Sequence, residues 1–136
     1  MPQHARIALL GTGAIGASVA RALYLNQVPF TILVRDKKRK ADLITQGIRY
    51  TLKSTTHIQL NQGVEVLTLA EAHKNARSLK FDYMFFGMKT PHLQEAARTA
   101  KGLLAKGGRL VLLQNGLPER ELRNYKEENI ISGIVG

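Results

Sequence analysis

Cysteine is absent from this 136-residue sequence, so the chain can form neither a disulfide framework nor a thiolate metal site. No apolar run approaches the roughly 18 residues of a transmembrane helix, and the apolar stretch near the N-terminus is too short for a signal peptide. The four histidines are scattered without ligand spacing. We therefore expect a single domain in the reducing cytoplasm, without a metal and without a membrane partner.

Acidic residues are scarce: there are 10, against 20 lysines and arginines, and the net charge is +10. Such an excess is compatible with a nucleic-acid partner, an anionic ligand or a well-solvated surface. The segment "RDKKRK", residues 35–40, concentrates part of this charge. The remainder is dispersed, without aromatic interleaving or an arginine-rich helix. We therefore expect an anionic ligand and no nucleic-acid partner.

Apolar segments alternate with segments of helical periodicity, and the strands are apolar on both faces, as in a sheet covered on both sides. Asn26 is predicted to be the left-handed C-cap of the first helix, and Gly47 closes the second. Gly107 and Gly108 are predicted to end the fourth. The predicted strands are 6–10, 30–34, 81–89, 109–116 and 129–136, and the predicted helices are 14–25, 36–46, 70–76, 92–106 and 118–128.

Residues 48–69 are less regular. Three segments alternate in period two, at 48–54, 57–60 and 64–69, which predicts short antiparallel strands at a sheet edge. Strand and helix alternate elsewhere in the chain. The predicted fold class is therefore α/β, a doubly wound, mainly parallel Rossmann-type sheet with helices on both faces.

The segment "GTGAIG", residues 11–16, follows the first predicted strand and opens the first helix. In such a unit Gly11 permits a tight turn, Gly13 lets a pyrophosphate approach the backbone, and Gly16 lets the helix pack on the strand. The N–H groups and the positive dipole end of the helix then hold the negative charge. Because the motif lies in a βαβ unit of about 30 residues, it favours dinucleotide binding over a purely structural turn.

The residue that follows the second predicted strand selects the dinucleotide. NAD-selective sites place a carboxylate there to accept a hydrogen bond from the ribose 2′-hydroxyl, whereas this chain has Arg35. An arginine can make a bidentate contact to a 2′-phosphate, so the predicted cofactor is NADP. Asp36 is the alternative, since one step of register would make it the ribose acceptor. Lys37 and Lys40 are interpreted as part of a solvated helix face.

Two further side chains follow predicted strands. Lys89, in "GMKTPH", lies just past the third strong strand, and Asn115, in "LLQNG", lies past the fourth. Ligands of open α/β sheets bind at the carboxyl edge, so both side chains would reach into one crevice. Taken alone, Lys89 is equally well an ordinary surface lysine, and Asn115 an ordinary turn residue.

Together, "GTGAIG", Arg35, "MKT" and "QNG" resemble the N-terminal domain of the ketopantoate reductase family, NADPH-dependent 2-dehydropantoate 2-reductases of pantothenate biosynthesis and less specific relatives. The resemblance covers 6–136. It implies that Arg35 contacts the 2′-phosphate, that Lys89 borders the adenosine side, and that Asn115 lies near the nicotinamide ribose and helps to hold the keto acid. The residues that it implies around the pyrophosphate are Gly11, Thr12, Gly13, Ala14, Ile15 and Gly16.

This sequence departs from the family pattern in small ways. It has "NQVP" where the family usually has a glycine between the first helix and the second strand, and "MKT" where "VKT" is commoner. Neither difference affects the predicted cofactor site.

Length is the larger departure, because the family has a second, helical domain that supplies a lysine as general acid and most substrate contacts. We therefore expect 1–136 to be an NADP-binding domain lacking that domain, with no catalytic residue of its own and little or no turnover. The expected small-molecule substrate of the whole enzyme is a 2-keto acid. The alternative is a stand-alone NAD(P)-binding regulatory module. The sequence leaves open the oligomeric state and the particular keto acid.

Overall fold

A computed structural model describes residues 5–11, 14–51, 55–58, 60, 63–87, 98, 101–112 and 130–132. In the first β-α-β unit the helix and the second strand have the predicted bounds, and the first strand begins at Ile7, one residue later than predicted. The strands and helices, in chain order, are β1 Ile7–Leu10, α1 Ala14–Leu25, β2 Phe30–Val34, α2 Lys37–Gln46, β3 Ile48–Thr51, β4 Thr55–Ile58, β5 Val64–Thr68, α3 Leu69–Lys74, β6 Phe81–Phe86, β7 Leu104–Leu112 and β8 Ile130–Ser132.

Six strands form one parallel sheet in the order β5-β2-β1-β6-β7-β8. Along the chain, β2 and β5 are added on one side of β1, and β6, β7 and β8 are then added on the other side. The strand order therefore reverses between β1 and β6, which makes this pair the topological switch point. The predicted doubly wound, Rossmann-type parallel sheet is confirmed.

Both faces of the sheet are buried, which explains why the strands are apolar throughout. On one face Leu9 packs with Ala17 and Ala20 of α1, with Leu43 of α2 and with Ile58 of β4. The other face is formed by a second cluster around α3 and the start of β7, whose buried members are Ala8, Leu10, Leu33, Ala72, Phe81, Met84, Phe86, Leu103, Leu110 and Leu112.

The antiparallel prediction for 48–69 is correct for two segments and wrong for the third. β3 and β4 pair antiparallel as a separate two-stranded sheet, with Ile48 opposite Ile58. β5 instead lies parallel to β2 in the main sheet. Its alternation reflects a strand at one end of the sheet, with Glu65 exposed between buried Val64 and Val66. Alternation of apolar and polar residues indicates that one face of a strand is exposed. It does not indicate whether the strand pairs parallel or antiparallel.

The predicted end of the fourth helix at Gly107 and Gly108 is wrong. The chain turns at Gly102, whose φ is +93°, and β7 begins at Leu104. Both glycines lie inside β7, at a shift in its pairing with β6, and Gly107 has a φ of +77°. Complete burial of Leu103 explains the difference, because this leucine contributes to the sheet core rather than to a helix face. Of the earlier part of that predicted helix, residues 92–97, 99 and 100 lie outside the described residues.

The end of α1 also differs in detail from the prediction. The left-handed residue is Gln27, with a φ of +58°, and not Asn26. The Val28 N–H donates to the Leu23 carbonyl at 2.9 Å and the Gln27 N–H donates to the Tyr24 carbonyl at 3.1 Å, which is the Schellman pattern. The "NQVP" departure from the family pattern thus places a glutamine where a glycine would be unstrained.

Candidate functional site

The carboxyl edge of the sheet at the switch point is built from a turn and a helix N-terminus. Gly11 follows β1 with a φ of +87°, a conformation that favours glycine, and α1 begins at Ala14. The first turn of α1 contains no acidic side chain that would neutralise its positive end. This edge therefore offers a place where negative charge is stabilised.

Three glycine backbones pack against one another at this edge. A Cβ on Gly16 would overlap the carbonyl oxygen of Gly11, so only glycine allows α1 to lie this close to β1. A Cβ on Gly87 would lie 2.8 Å from the Cα of Gly16 and 2.9 Å from its nitrogen. The Gly87 N–H also donates to the Leu10 carbonyl at 2.8 Å. The first turn of α1 is thus held between β1 and the end of β6.

The sequence interpretation missed the part played by Gly87. It placed this glycine inside the predicted strand 81–89, whereas β6 ends at Phe86. A glycine within an apolar strand pattern is itself a signal of close backbone approach. That signal was present in "FFGMK", but the chain segment that approaches lies more than 70 positions away in the sequence.

Arg35 lies at the same edge, one strand away. Leu10 of β1 pairs with Leu33 of β2, so Gly11 and Arg35 both leave the sheet at its carboxyl end. Neighbouring strands are about 4.8 Å apart, which brings this connection beside the glycine turn. The Arg35 side chain is exposed, and the part of the chain that the structure describes provides it with no hydrogen-bond or ion-pair partner.

Asp36, the alternative ribose acceptor, has a local structural role. It is the N-cap of α2, and its Oδ1 accepts a hydrogen bond from the Arg39 N–H at 2.8 Å. Such a cap stabilises a helix by about 1 kcal/mol. Use of this carboxylate as a cap agrees with the start of α2 and favours Arg35 as the side chain available to a ligand.

Lys40 is not on a solvated helix face, so that interpretation is wrong. Its Nζ lies 2.9 and 3.0 Å from the two carboxylate oxygens of Glu71 in α3, and its side chain is 26% exposed. Glu71 Oε1 also accepts from the Thr68 N–H at 3.0 Å. The Thr68 hydrogen bond first, and then Lys40, lower the pKa of Glu71 to about 2. Lys37 is exposed, as predicted.

Four predicted site residues lie outside the described part of the chain: Thr12, Gly13, Lys89 and Asn115. Ala14 and Ile15 are the first two residues of α1. Because Phe86 of β6 pairs with Leu112 of β7, Lys89 and Asn115 each follow a paired strand end by three positions. Their convergence in one crevice stays a prediction.

The described ranges contain no group of three or more histidine or acidic side chains arranged to hold a metal ion. Within the same part of the chain, no helix is both long enough and apolar enough to cross a bilayer.

Solved structures of several reductases share this fold. A 2-dehydropantoate 2-reductase from Porphyromonas gingivalis has a TM-score of 0.72 at 17% identity, over 97% of this chain and 46% of that one. The enzyme of the same name from Methylococcus capsulatus has a TM-score of 0.69 at 21% identity, over 95% and 40%. D-mandelate dehydrogenase, in complex with NADH and anilino(oxo)acetate, has a TM-score of 0.76 at 17% identity, over 95% and 40%.

The chain therefore spans less than half the length of these proteins. No curated protein sequence matches it significantly. The model of one protein family, described as ketopantoate reductase PanE/ApbA, matches residues 7–136, which is nearly the whole chain. The chain belongs to the ketopantoate reductase PanE/ApbA family.

Proposed function

We propose that this chain is the NADP-binding domain of a reductase that converts a 2-keto acid, 2-dehydropantoate, to its 2-hydroxy acid. The observation that carries the proposal is one arrangement: the glycine-packed N-terminus of α1 lies beside Arg35, a side chain without a described partner. Membership of a reductase family that uses a nicotinamide dinucleotide supports it. The excess of positive charge at 35–40 fits an anionic ligand.

The residues of this edge fit a dinucleotide phosphate. The backbone from Gly11 to Gly16 would hold the pyrophosphate at the positive end of α1, and the glycine at position 13 would let it approach the backbone. Arg35 would bind the 2′-phosphate through paired N–H donors. Lys89 would border the adenosine side, and Asn115 would orient the nicotinamide ribose and the keto acid. The bound cofactor would supply the hydride.

We assign the proton transfer to a second, helical domain of the whole protein. The solved relatives are more than twice as long as this chain, and the resemblance places the lysine that acts as general acid in that domain. On this proposal, residues 1–136 bind and orient the cofactor but do not turn over substrate. The assignment leaves substrate selection mainly to the second domain.

The test is calorimetric titration of this chain with NADPH and, separately, with NADH, at one moderate salt concentration. We expect NADPH to bind at least about ten-fold more tightly, since a 2′-phosphate adds a charge-assisted contact to Arg35. A preference for NADH would contradict the assignment of Arg35 and favour Asp36 as the ribose acceptor. Binding of neither would contradict the proposal that this chain alone holds the cofactor.

A further inference from the structure

The position of Arg35 depends on the two elements that flank it. Before it, β2 ends at Val34, which is paired in the sheet with Thr68 at the end of β5. After it, Asp36 caps α2, which begins at Lys37. A connection of only two residues between a strand and a helix leaves Arg35 little freedom, provided that both flanks are fixed.

A single carboxylate contacts both flanks. Glu71 accepts a hydrogen bond from the backbone N–H of Thr68, directly beside the end of β2. The same carboxylate binds the ammonium of Lys40 through both of its oxygens. Lys40 in turn belongs to the first turns of α2, and its backbone N–H donates to the Asp36 carbonyl at 3.1 Å.

The geometry of α3 fixes that carboxylate in turn. Thr68 and Glu71 form a reciprocal capping box, in which the Glu71 N–H donates to Thr68 Oγ1 at 3.1 Å. Thr68 itself is 4% exposed and cannot move without disturbing the core. Glu71 is therefore anchored to the sheet at its own backbone, and it holds α2 through Lys40.

The ion pair between Lys40 and Glu71 is partly exposed. Solvent screens such a pair, so its direct contribution to the free energy of unfolding is small. Lys40 is also engaged with a carboxylate, so it is not a free cation for a ligand phosphate. Both facts point to a role in positioning rather than in folding or in direct contact.

We propose that Lys40 and Glu71 are positioning residues that set the preference for NADPH, by holding α2 against α3 so that Arg35 meets the 2′-phosphate. The inference rests on the proposed function, because it needs Arg35 to bind that phosphate. It goes further, because it assigns cofactor selectivity to a contact between two residues that lie 31 positions apart in the sequence. A bidentate arginine contact depends on the position of the arginine backbone, and the Lys40–Glu71 contact restricts the movement of the helix that follows it.

The test uses four variants of this chain, Lys40→Met, Glu71→Gln, the double variant and Lys40→Arg, titrated with NADPH and NADH. We expect Lys40→Met or Glu71→Gln alone to weaken NADPH binding about three- to five-fold and to leave NADH binding within about two-fold, since NADH has no 2′-phosphate. The double variant should resemble the single ones, and Lys40→Arg should retain the preference. Thermal unfolding of each variant checks that it is folded.

The double variant separates positioning from simple charge. If Lys40 acted through its charge alone, Glu71→Gln would tighten NADPH binding by releasing a cation, and the double variant would match the parent chain. That pattern would overturn the inference. Lys37→Met is the matched control, because it removes an exposed cation from the first turn of α2 without touching Glu71. A loss of selectivity there equal to that of Lys40→Met would also overturn it.

The parent chain, measured in parallel, distinguishes the two proposals. If the parent chain prefers NADPH and the variants keep that full preference, the proposed function stands and the positioning role is contradicted. If the parent chain does not prefer NADPH, both the proposed function and the positioning role are contradicted.

Discussion

Gly16 and Gly87 are in backbone-to-backbone contact across the switch point: a Cβ on Gly87 would lie 2.8 Å from the Cα of Gly16. Real Cβ atoms essentially never come within 3.0 Å of a heavy atom that lies outside their own residue and its two chain neighbours. One glycine belongs to the first turn of α1, and the other follows β6. Because Gly87, just after β6, has no side chain, the N-terminus of α1 can lie directly against it.

Replacing Gly87 by alanine should disturb both the fold and the proposed pyrophosphate site. The new methyl group meets backbone atoms, which cannot rotate away, so we expect a loss of about 1–3 kcal/mol in the free energy of unfolding. The displaced α1 N-terminus should weaken NADPH and NADH binding alike, because both cofactors share the pyrophosphate. Urea unfolding and calorimetry measure the two effects.

Gly63→Ala is the control for this substitution. Gly63 has a φ of +77° and lies just before β5, at the amino end of the strands and away from the proposed site. A Cβ there would have only ordinary contacts with Pro29. Alanine should cost about 1 kcal/mol there through backbone strain, and the folded protein should keep its affinity for both cofactors. Unchanged stability and affinity in Gly87→Ala would show that the tight packing has no consequence.

Arg35→Ala should separate the two cofactors. A charge-assisted bidentate contact contributes about 1.5–3 kcal/mol, so NADPH binding should weaken roughly 10- to 100-fold while NADH binding changes little. Lys38→Ala removes an exposed cation three residues away and should have a much smaller effect on either. Equal losses for NADPH and NADH in Arg35→Ala would contradict the 2′-phosphate assignment and redirect attention to Asp36.

The sequence predicts those parts of the fold that local signals determine. The bounds of α1 and β2 follow from apolar periodicity, and α2 has the N-cap Asp36 and the C-cap Gly47 at its two ends. Each of these signals lies within a few residues of the element that it determines. The apolar strands also predict a sheet covered on both faces, which the two buried clusters confirm.

Contacts between distant segments account for the errors. Leu103 and Leu104 fit a helix face equally well in sequence, and only burial against the sheet decides between helix and strand. In the sequence, nothing distinguishes Lys40 from a solvated lysine, because its partner Glu71 in α3 lies 31 positions further along the chain. The close approach of Gly87 to Gly16 likewise depends on strand order, which periodicity alone does not give.

Gln27→Gly should stabilise the domain. Gln27 occupies the left-handed position of the Schellman motif that ends α1, with a φ of +58°. Glycine removes the steric cost of that conformation, so we expect a gain of about 0.5–1 kcal/mol and a rise in Tm of a few degrees. The control is Asn26→Gly, which loses the hydrogen bond from Asn26 Nδ2 to the Ala22 carbonyl and should lower Tm. A lower Tm for Gln27→Gly would contradict the prediction.

The lowered pKa of Glu71 predicts how stability depends on pH. The Thr68 backbone N–H and Lys40 both favour the ionised carboxylate, so its pKa falls from 4.5 to about 2 on folding. For a lowered pKa, the unfolded chain takes up the proton first as pH falls. The stabilising contribution is therefore fully present above about pH 5 and disappears as pH falls from 4.5 to 2.

Urea unfolding of the parent chain and of Glu71→Gln between pH 6 and pH 2 measures this contribution. The difference in unfolding free energy should be constant above about pH 5 and should shrink as pH falls towards 2, because the parent carboxyl becomes neutral like the amide. Glu65→Gln, at an exposed position of β5, controls for the change in net charge. A difference that stays constant down to pH 2 would mean that the contacts of Glu71 with Thr68 and Lys40 do not depend on its charge.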